Sequence, residues 1–419
     1  MMLLPGAPGA AAKGKGGRVA AGVGERADEA TLATLLLAVY VPTALLAFGQ
    51  GLLIATLPLY AEAMGVSVTL VSLAVSAAAI GTLAADLPAG LFLSRVGLRP
   101  AMIGGSALVA VSTAALALTT GFWPMVAARL LAGVGTAIWG LSRHAYIAEA
   151  IPAERRGKAV SVFGGVNRLG VFLGPLVGGL LATRHGLGAS FLASALLAAA
   201  ALVVSAVLLK PVPRGAAGLP RGVRWGRVRD LLRADRAGLG AAAAALTMGQ
   251  MVRAGRFLIL PLWGVQQVGL NAAEVGLVIT AGSLLDVSMF MPAGYVMDRF
   301  GRKVAAVPSF AVLALGVALV PFAHSLATLM LASLVIGLGN GMGSGTMMTL
   351  GADLAPPGAT GEFLGVWRLV GDTGGALGPI VVGAVAAGLG LAGGAWVLAA
   401  IGVAAAAVLG TLVRETKSG

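Results

Sequence analysis

Cysteine is absent from the 419 residues, which excludes disulfide bonds, thiolate metal ligands and a cysteine nucleophile. Charge is also scarce, since 11% of the residues are charged, against roughly a quarter in ordinary soluble proteins. The chain has three histidines, and aromatic residues make up 5% of it. A membrane enzyme needs clustered His, Cys or acidic side chains, and the sequence shows no such cluster. We therefore expect no enzymatic activity, no bound metal and no cofactor.

Hydrophobic residues, by contrast, make up 58% of the chain, and the mean hydropathy is +0.94. They form apolar runs of about 20–26 residues, long enough for a helix to cross ~30 Å of hydrocarbon. The runs are apolar on every face, whereas helices of a soluble core show an amphipathic stripe. The composition therefore predicts an all-α membrane protein.

Twelve such runs can be distinguished, and the longest interruption between them separates six from six. The predicted spans are 32–56, 68–93, 101–120, 124–149, 158–183, 188–209, 238–263, 273–297, 304–323, 326–352, 363–388 and 391–413. The predicted organisation is a disordered tail over 1–30, a six-helix bundle over 31–209, a basic linker over 210–237, a second bundle over 238–413 and a tail over 414–419.

The positions of the basic residues predict the orientation. If the N-terminus is cytoplasmic, 22 of the 29 Lys and Arg residues fall in cytoplasmic segments, and Arg184 alone falls in an outer loop. Basic residues prefer cytoplasmic loops, so we expect both termini in the cytoplasm and the chain in the cell (plasma or inner) membrane. This distribution also explains the net charge of +13 without a nucleic-acid partner.

The two halves repeat each other at a constant offset of 204 residues. Matching pairs include Gly97 and Gly301, Gly133 and Gly337, Gly174 and Gly378, and Pro175 and Pro379. A fixed offset maintained through five helices and their loops indicates a duplicated unit, so the two bundles should be related by pseudo-symmetry.

Two loops carry the signature of a known family. The segment after the eighth predicted span has the pattern G-x-x-x-D-R-x-G-R-K at Gly294, Asp298, Arg299, Gly301, Arg302 and Lys303. The segment after the second span has Gly90, Arg95, Gly97 and Arg99, with Ser94 in place of the acid and Leu98 in place of a base. Together with the six-plus-six arrangement, these loops resemble the major facilitator superfamily over nearly the whole chain after the first tail. The resemblance implies that family's fold and solute transport.

Two further motifs fit the resemblance. Arg129, Gly133 and Gly135 match R-x-x-x-G-x-G in the fourth span. The fifth span matches a glycine pattern that the family associates with drug–proton antiporters, at Gly170, Gly174, Pro175, Gly178 and Gly179. Glycines four residues apart also serve plain helix packing, and the sequence leaves both interpretations open.

Ionisable residues within predicted spans are costly at bilayer depth and are therefore candidate functional groups. Arg368 and Asp372 are four apart on the eleventh span and can pair. In the family, spans five and eight face each other, as do two and eleven, which places Arg168 toward Asp286 and Asp372 toward Asp86. We hypothesise an Arg168–Asp286 pair that breaks during transport and Asp372 as the proton carrier. Static pairs, or capping near helix ends by Asp86, are the alternatives.

A third group of side chains is expected around the central cavity, which spans one, four, seven and ten line in the family. Its members are Gln50, Arg129, Gln250, Arg253 and Arg256. Three arginines with few acids would attract an anion, which predicts a substrate of anionic character. An equal alternative is that Arg253 or Arg256 holds a neighbouring carbonyl or acid.

The sequence therefore predicts a monomeric secondary active transporter that contacts membrane lipids, a small-molecule substrate and protons. Proton-coupled efflux of a drug or metabolite by alternating access is the main expectation. The alternatives are proton-coupled uptake of an organic anion or sugar and, outside carriers, a channel or a receptor-like membrane protein. An ATP-driven pump is excluded, because the glycines and lysines of 9–16 lack the Ser/Thr of a phosphate-binding loop and no strand precedes them.

Overall fold

The structure is a computed structural model, and it describes residues 16–150, 153–211 and 221–416. Every regular element within these ranges is a helix. In chain order the helices are α1 (Gly16–Ala63), α2 (Val68–Val96), α3 (Leu98–Leu118), α4 (Phe122–Ala150), α5 (Ala153–His185), α6 (Gly188–Leu208), α7 (Arg221–Ala234), α8 (Arg236–Gln266), α9 (Ala272–Ser288), α10 (Phe290–Phe300), α11 (Arg302–Leu319), α12 (Leu326–Met342), α13 (Thr346–Leu354) and α14 (Thr360–Thr411).

Twelve spans result from these helices. By length and hydropathy, nine helices of the described chain can cross a membrane, and the bent pair α9–α10 makes a tenth. The 52-residue α14 turns back at Gly390, whose φ is 69°, and so supplies two spans. The 31-residue α8, which carries Arg253 and Arg256 among its apolar residues, is the remaining one. The predicted fold class, an all-helical membrane protein of two six-helix bundles, is confirmed.

Two predicted spans are interrupted where the sequence supplies a helix breaker, and a glycine turns the chain between two others. Pro292 has no N–H to donate to the carbonyl of Ser288, and α9 and α10 meet there at a 40° bend. The tenth span stops at Met342 and resumes at Thr346, after Gly345 in the left-handed conformation. Within α14, Gly394 lies against Val382 and Ala386, so the two arms on either side of Gly390 are antiparallel neighbours.

Each half packs as one bundle. In the first, α1 packs on α5 and α6, while α4 packs on α2 and α3. In the second, α8 packs on α14, and α11 and α9 both pack on α12. The bundles meet along two lines, α2 against α14 and α5 against α9. Large apolar side chains such as Val111, Val207 and Phe322 are exposed on the outside of the bundles, where lipid would cover them.

The two ends of the molecule differ in charge. The end that carries the turns at Gly97 and Gly301, with Arg99, Arg302 and Lys303, is here termed the basic face. The opposite face carries the turns at 64–67 and 267–271. Gly97 and Gly301, which are 204 residues apart, have φ values of 90° and 108°, so the sequence repeat is also a backbone repeat.

Helix extends into both segments that the sequence assigns to a tail or a linker. The first helix begins at Gly16, inside the predicted 1–30 tail, and α7 occupies much of the predicted 210–237 linker. Residues 1–15 and 212–220 lie outside the described residues.

Candidate functional site

Charged side chains join the two bundles where α2 packs on α14. The Arg368 guanidinium lies 3.7 Å from a carboxylate oxygen of Asp86 on α2. It also lies 3.3 Å from a carboxylate oxygen of Asp372, one turn along its own helix. The side chains of these three residues are between 18% and 38% exposed, so water can reach them. This group, termed the interface cluster, has two carboxylates for one guanidinium.

Helix α4 borders the interface cluster. The Arg368 guanidinium lies 3.9 Å from the position that a Cβ on Gly140 would take, which is an ordinary contact distance. Arg143 lies near enough to interact electrostatically with Arg368. The Nδ1 atom of His144 is 2.7 Å from the carbonyl oxygen of Gly140. The cluster is therefore built from α2, α4 and α14, as the predicted apposition of the second and eleventh spans implies.

The hypothesised Arg168–Asp286 pair is not formed in this structure. Asp286 instead lies 3.9 Å from Arg256 and accepts a hydrogen bond of 2.6 Å from Asn340. All three residues belong to the second bundle. They meet there because the face of α9 that carries Asp286 packs on α12. Arg168 lies with its guanidinium 4.6 Å from the ring centre of Phe290, which follows the α9–α10 bend. No motif in the sequence indicates Asn340 or Phe290 as partners.

Replacing Asp286 by alanine is expected to lower the free energy of unfolding by about 3–5 kcal/mol, because the buried Arg256 would lose its counter-charge. Arg168→Gln should leave the free energy of unfolding near that of the parent, since Arg168 only covers an exposed ring. Thermal unfolding of the purified protein in detergent measures both effects. If Arg168→Asp combined with Asp286→Arg restored what each single variant loses, the original pairing would be correct.

Arg253 is held within the second bundle as well. Its guanidinium donates to the Gln250 side-chain oxygen at 3.2 Å and to the Gly343 carbonyl at 3.4 Å, and it lies 5.7 Å from the centre of the Phe310 ring. Gln250 and Arg253 also border a chamber of ≈ 100 Å³ that reaches Asp372 of the interface cluster. Two of the three arginines that the sequence assigns to the substrate cavity therefore already have protein partners.

The third arginine, Arg129, lines the central cavity. Two adjoining chambers of ≈ 340 and ≈ 220 Å³ share Arg129, Gln50 and Phe257 in their walls. The larger is lined mainly by the first bundle, whereas the smaller also touches Gly375 and Pro379 on α14. The Gln50 amide donates to the Thr136 hydroxyl at 3.5 Å. The cavity thus lies between the bundles at mid-depth and has the volume of a small-molecule site.

The glycines of the fifth span divide into two groups by the helix that each one faces. A Cβ on Gly170, Gly174 or Gly178 would overlap the backbone or side chains of α1, inside the first bundle. A Cβ on Gly179 would overlap the Ala272 carbonyl on α9, in the other bundle. Pro175 is on this second side too, since its carbonyl oxygen would overlap a Cβ on Gly276. One motif thus serves internal packing and bundle-to-bundle contact at once.

The pseudo-symmetric half repeats this arrangement. A Cβ on Gly374 or Gly378 would overlap α8, inside the second bundle. Gly383 is the counterpart of Gly179, and a Cβ added to it would overlap Ser72 on α2. Ser72 is in turn the counterpart of Gly276. Small residues therefore allow backbone-to-backbone contact between the bundles at two symmetric places.

Hydrogen bonds reinforce these contacts toward the opposite face. The Ala273 amide donates to the Thr183 hydroxyl at 3.0 Å, and the Thr69 hydroxyl donates to the Gly383 carbonyl at 3.3 Å. Toward the basic face the bundles meet through the side chains of the interface cluster and of Arg168 on Phe290. The structure is therefore a conformation that is closed at the opposite face.

The loop motif of the second half forms a network at the basic face. Arg302 pairs with Asp353 at 2.7 Å, and the Glu415 carboxylate accepts from the amides of Arg302 and Lys303 at 2.9 Å each. Glu415 thereby caps the N-terminus of α11. It is more than 100 residues away in the chain, and the loop motif does not predict this contact. In the first half, Arg99 donates to the Ala206 carbonyl at 3.3 Å. The Ser94 side chain of the same loop lies outside the part of the chain that the structure describes.

Two six-span bundles with small residues at their interface, a cavity between them and ionisable groups at bilayer depth define a membrane transporter of the carrier class. Comparison with known families gives the family itself. The model of the Major Facilitator Superfamily matches residues 39–252 and again 239–419, one match for each half. The chain belongs to this superfamily, and it is a transporter, not an enzyme.

Individual relatives are distant. The chain is 28% identical to the tetracycline resistance protein, class C, of Escherichia coli, over 56% of this chain and 59% of that protein. It is 24% identical to the synaptic vesicular amine transporter of Rattus norvegicus, over 75% of this chain and 60% of that protein. These matches span about six tenths of each relative's length. Among solved structures, a D-xylose–proton symporter superposes with a TM-score of 0.77 at 18% identity, covering 92% of this chain and 99% of that one.

Proposed function

We propose that this transporter exports a small organic solute in exchange for protons. The observation that carries the proposal is the interface cluster, in which one guanidinium is shared between carboxylates of both bundles. The similarity to a tetracycline resistance protein supports the outward direction, because resistance to a drug follows when a carrier exports it. The glycine motif of α5, which the family associates with antiporters, is consistent with the same direction.

The cluster changes composition when the bundles rock. Arg368 and Asp372 share a helix and stay together in every conformation, whereas Asp86 belongs to the other bundle. With the basic face closed, two carboxylates lie on one guanidinium, and carboxylates this close to each other favour sharing a proton. With the basic face open, Asp372 keeps its guanidinium and Asp86 faces water on the other bundle, so the two carboxylates no longer form a shared proton site. A proton is therefore bound in one state and released in the other.

The direction of this step matches export. The basic face would be cytoplasmic, as the distribution of Lys and Arg predicts. The cluster then binds a proton while the carrier is open to the outside and releases it when the carrier opens to the cytoplasm. The inward movement of the proton would drive the return of the empty carrier, while the solute leaves in the other half of the cycle. Arg143 and His144 on α4, and Arg253 across the small chamber that reaches Asp372, are further ionisable groups beside the cluster and would adjust how tightly the proton is held.

One chain contains both bundles and the whole cavity between them, so we propose that it acts as a monomer in the cell membrane, in contact with lipid along its exposed apolar side chains. Neither cofactor nor metal is needed for the cycle.

The proposed function is tested by transport in proteoliposomes. Drugs, sugars and carboxylates are first screened for their effect on the thermal unfolding of the purified protein. Each compound that stabilises it is then loaded inside vesicles, and a pH jump is imposed. We expect saturable efflux of the compound coupled to proton entry. Flux that saturates but ignores the pH gradient would contradict proton coupling, and flux that does not saturate would contradict a carrier.

A further inference from the structure

Arg129 differs from the other buried arginines of the central region. It is partly buried in the wall of the central cavity, and it makes no ion pair or hydrogen bond with any described residue. Its buried Nε atom lacks a partner, as do those of Arg253 and Arg256, but those two arginines have partners at their other guanidinium nitrogens. Arg256, by contrast, has Asp286, and Arg253 has Gln250 and Gly343. A buried guanidinium without a counter-charge is expensive and is not explained by packing.

The walls around Arg129 supply no counter-charge. Among the described residues that line the two central chambers, Arg129 is the only ionisable one. The nearby hydroxyls are already engaged, since Thr136 donates to the Ala132 carbonyl at 2.8 Å and Thr82 donates to the Gly133 carbonyl at 3.0 Å. The electrostatic potential of the cavity is therefore set by one positive charge, which favours an anion and opposes a cation.

The remainder of the wall is apolar and comes from both bundles. Leu53 and Ile54 of α1 lie in both chambers, and Phe257 of α8 lies opposite them. The Gln50 amide, which donates to the Thr136 hydroxyl, is a further polar group in the wall beside Arg129. An occupant that fits this lining has one anionic group at the guanidinium and an apolar or aromatic body toward Phe257.

We propose that Arg129 binds the carboxylate of the transported solute, and that the substrate class is an organic acid with an apolar body. The inference rests on the proposed function in that the central cavity is taken to be the transport site. A planar guanidinium offers two parallel N–H donors to a carboxylate, which fixes the orientation of the ligand as well as its charge. Binding would also neutralise the cavity, so that the bundles can close around it without burying a net charge.

The structure reduces the number of arginines that can bind the predicted anionic substrate. Three arginines were expected to form an anion site, and the structure leaves one of them without a protein partner. Arg253 and Arg256 are consequently assigned to the packing of the second bundle. Of the predicted cavity residues, Arg129 and Gln50 remain as the proposed site.

Binding of a matched series of probes tests the proposal: naphthoate, naphthamide and naphthylmethylamine, which share one ring system and differ in charge. Affinity is measured by calorimetry on the purified full chain without any gradient. We expect the parent to prefer naphthoate, and Arg129→Gln to weaken naphthoate binding by about tenfold or more, the loss of a charge-assisted hydrogen bond. Arg129→Lys should retain part of the preference. Arg184→Gln, which removes an exposed arginine at the opposite face, is the matched control and should bind as the parent does.

A second measurement separates a ligand site from a structural role. Without ligand, Arg129→Gln should unfold at or above the temperature of the parent, because it removes an uncompensated buried charge. A lower unfolding temperature, a preference for the amine, or equal naphthoate binding by parent and Arg129→Gln would each overturn the proposal. Since no gradient is used, the result does not depend on proton coupling. Loss of pH-driven flux with naphthoate binding intact would instead contradict the proposed function alone.

Discussion

Replacing either carboxylate of the interface cluster by its amide should abolish pH-driven transport while leaving exchange of solute across the membrane intact. Asp86→Asn and Asp372→Asn each leave one carboxylate for one guanidinium, a neutral pair that has no need of a proton. The carrier could still rock with substrate bound, so counterflow, in which labelled and unlabelled solute exchange, should persist. Both fluxes are measured in the same proteoliposomes.

The control for this prediction is Asp230→Asn, which removes an exposed carboxylate on α7 outside the cluster and should keep both fluxes. If Asp372→Asn retains pH-driven transport as well as counterflow, the cluster does not couple protons. If both variants lose counterflow too, the carboxylates are needed for the rocking itself and carry no separate coupling role.

Two alanine substitutions five residues apart on α5 should have opposite consequences. In Gly174→Ala the new Cβ overlaps Gly51 inside the first bundle, so the protein should lose folding stability, by about 1–3 kcal/mol for an overpacked core. In Gly179→Ala it overlaps the Ala272 carbonyl in the other bundle. That variant should fold as stably as the parent and lose transport, because the opposite face cannot close.

The matched control lies on the same helix. Gly165→Ala places a Cβ in open space, so neither stability nor transport should fall. Thermal unfolding and solute counterflow are measured for all three variants. Equal losses of stability in Gly174→Ala and Gly179→Ala would show that both glycines are packing residues. Full transport by Gly179→Ala would show that contact at this glycine is not part of the cycle.

The fold could be predicted because the signals that specify it are long and repeated. Apolar runs mark the spans, and the offset of 204 residues relates Gly97 to Gly301 in backbone conformation as well as in sequence. The turn at Gly390 and the bend before Pro292 also have local causes in the chain. These features follow from hydropathy and backbone chemistry and need no knowledge of the packing.

Side-chain pairing could not be predicted equally well. Adjacent spans were assigned through the family resemblance, but adjacency does not fix which way each residue is rotated. Arg168 and Asp286 lie on helices that touch, yet Asp286 is on the face of α9 toward Asn340, and the residue that meets Arg168 follows the bend. The pairing of Arg368 with both aspartates could be predicted. Its contact with Asp372 is one helical turn away, and its contact with Asp86 follows from the packing of α2 on α14.

Rocking of the two bundles can be measured directly, because the chain has no cysteine and introduced thiols would be the only ones. Thr183→Cys and Ala273→Cys together place two thiols at the closed opposite face, where the parent residues are hydrogen-bonded across the bundles. We expect oxidation to link them, transport to fall to the level of empty vesicles, and reduction to restore it. Protein that is fully cross-linked and still transports at the uncross-linked rate would contradict the account.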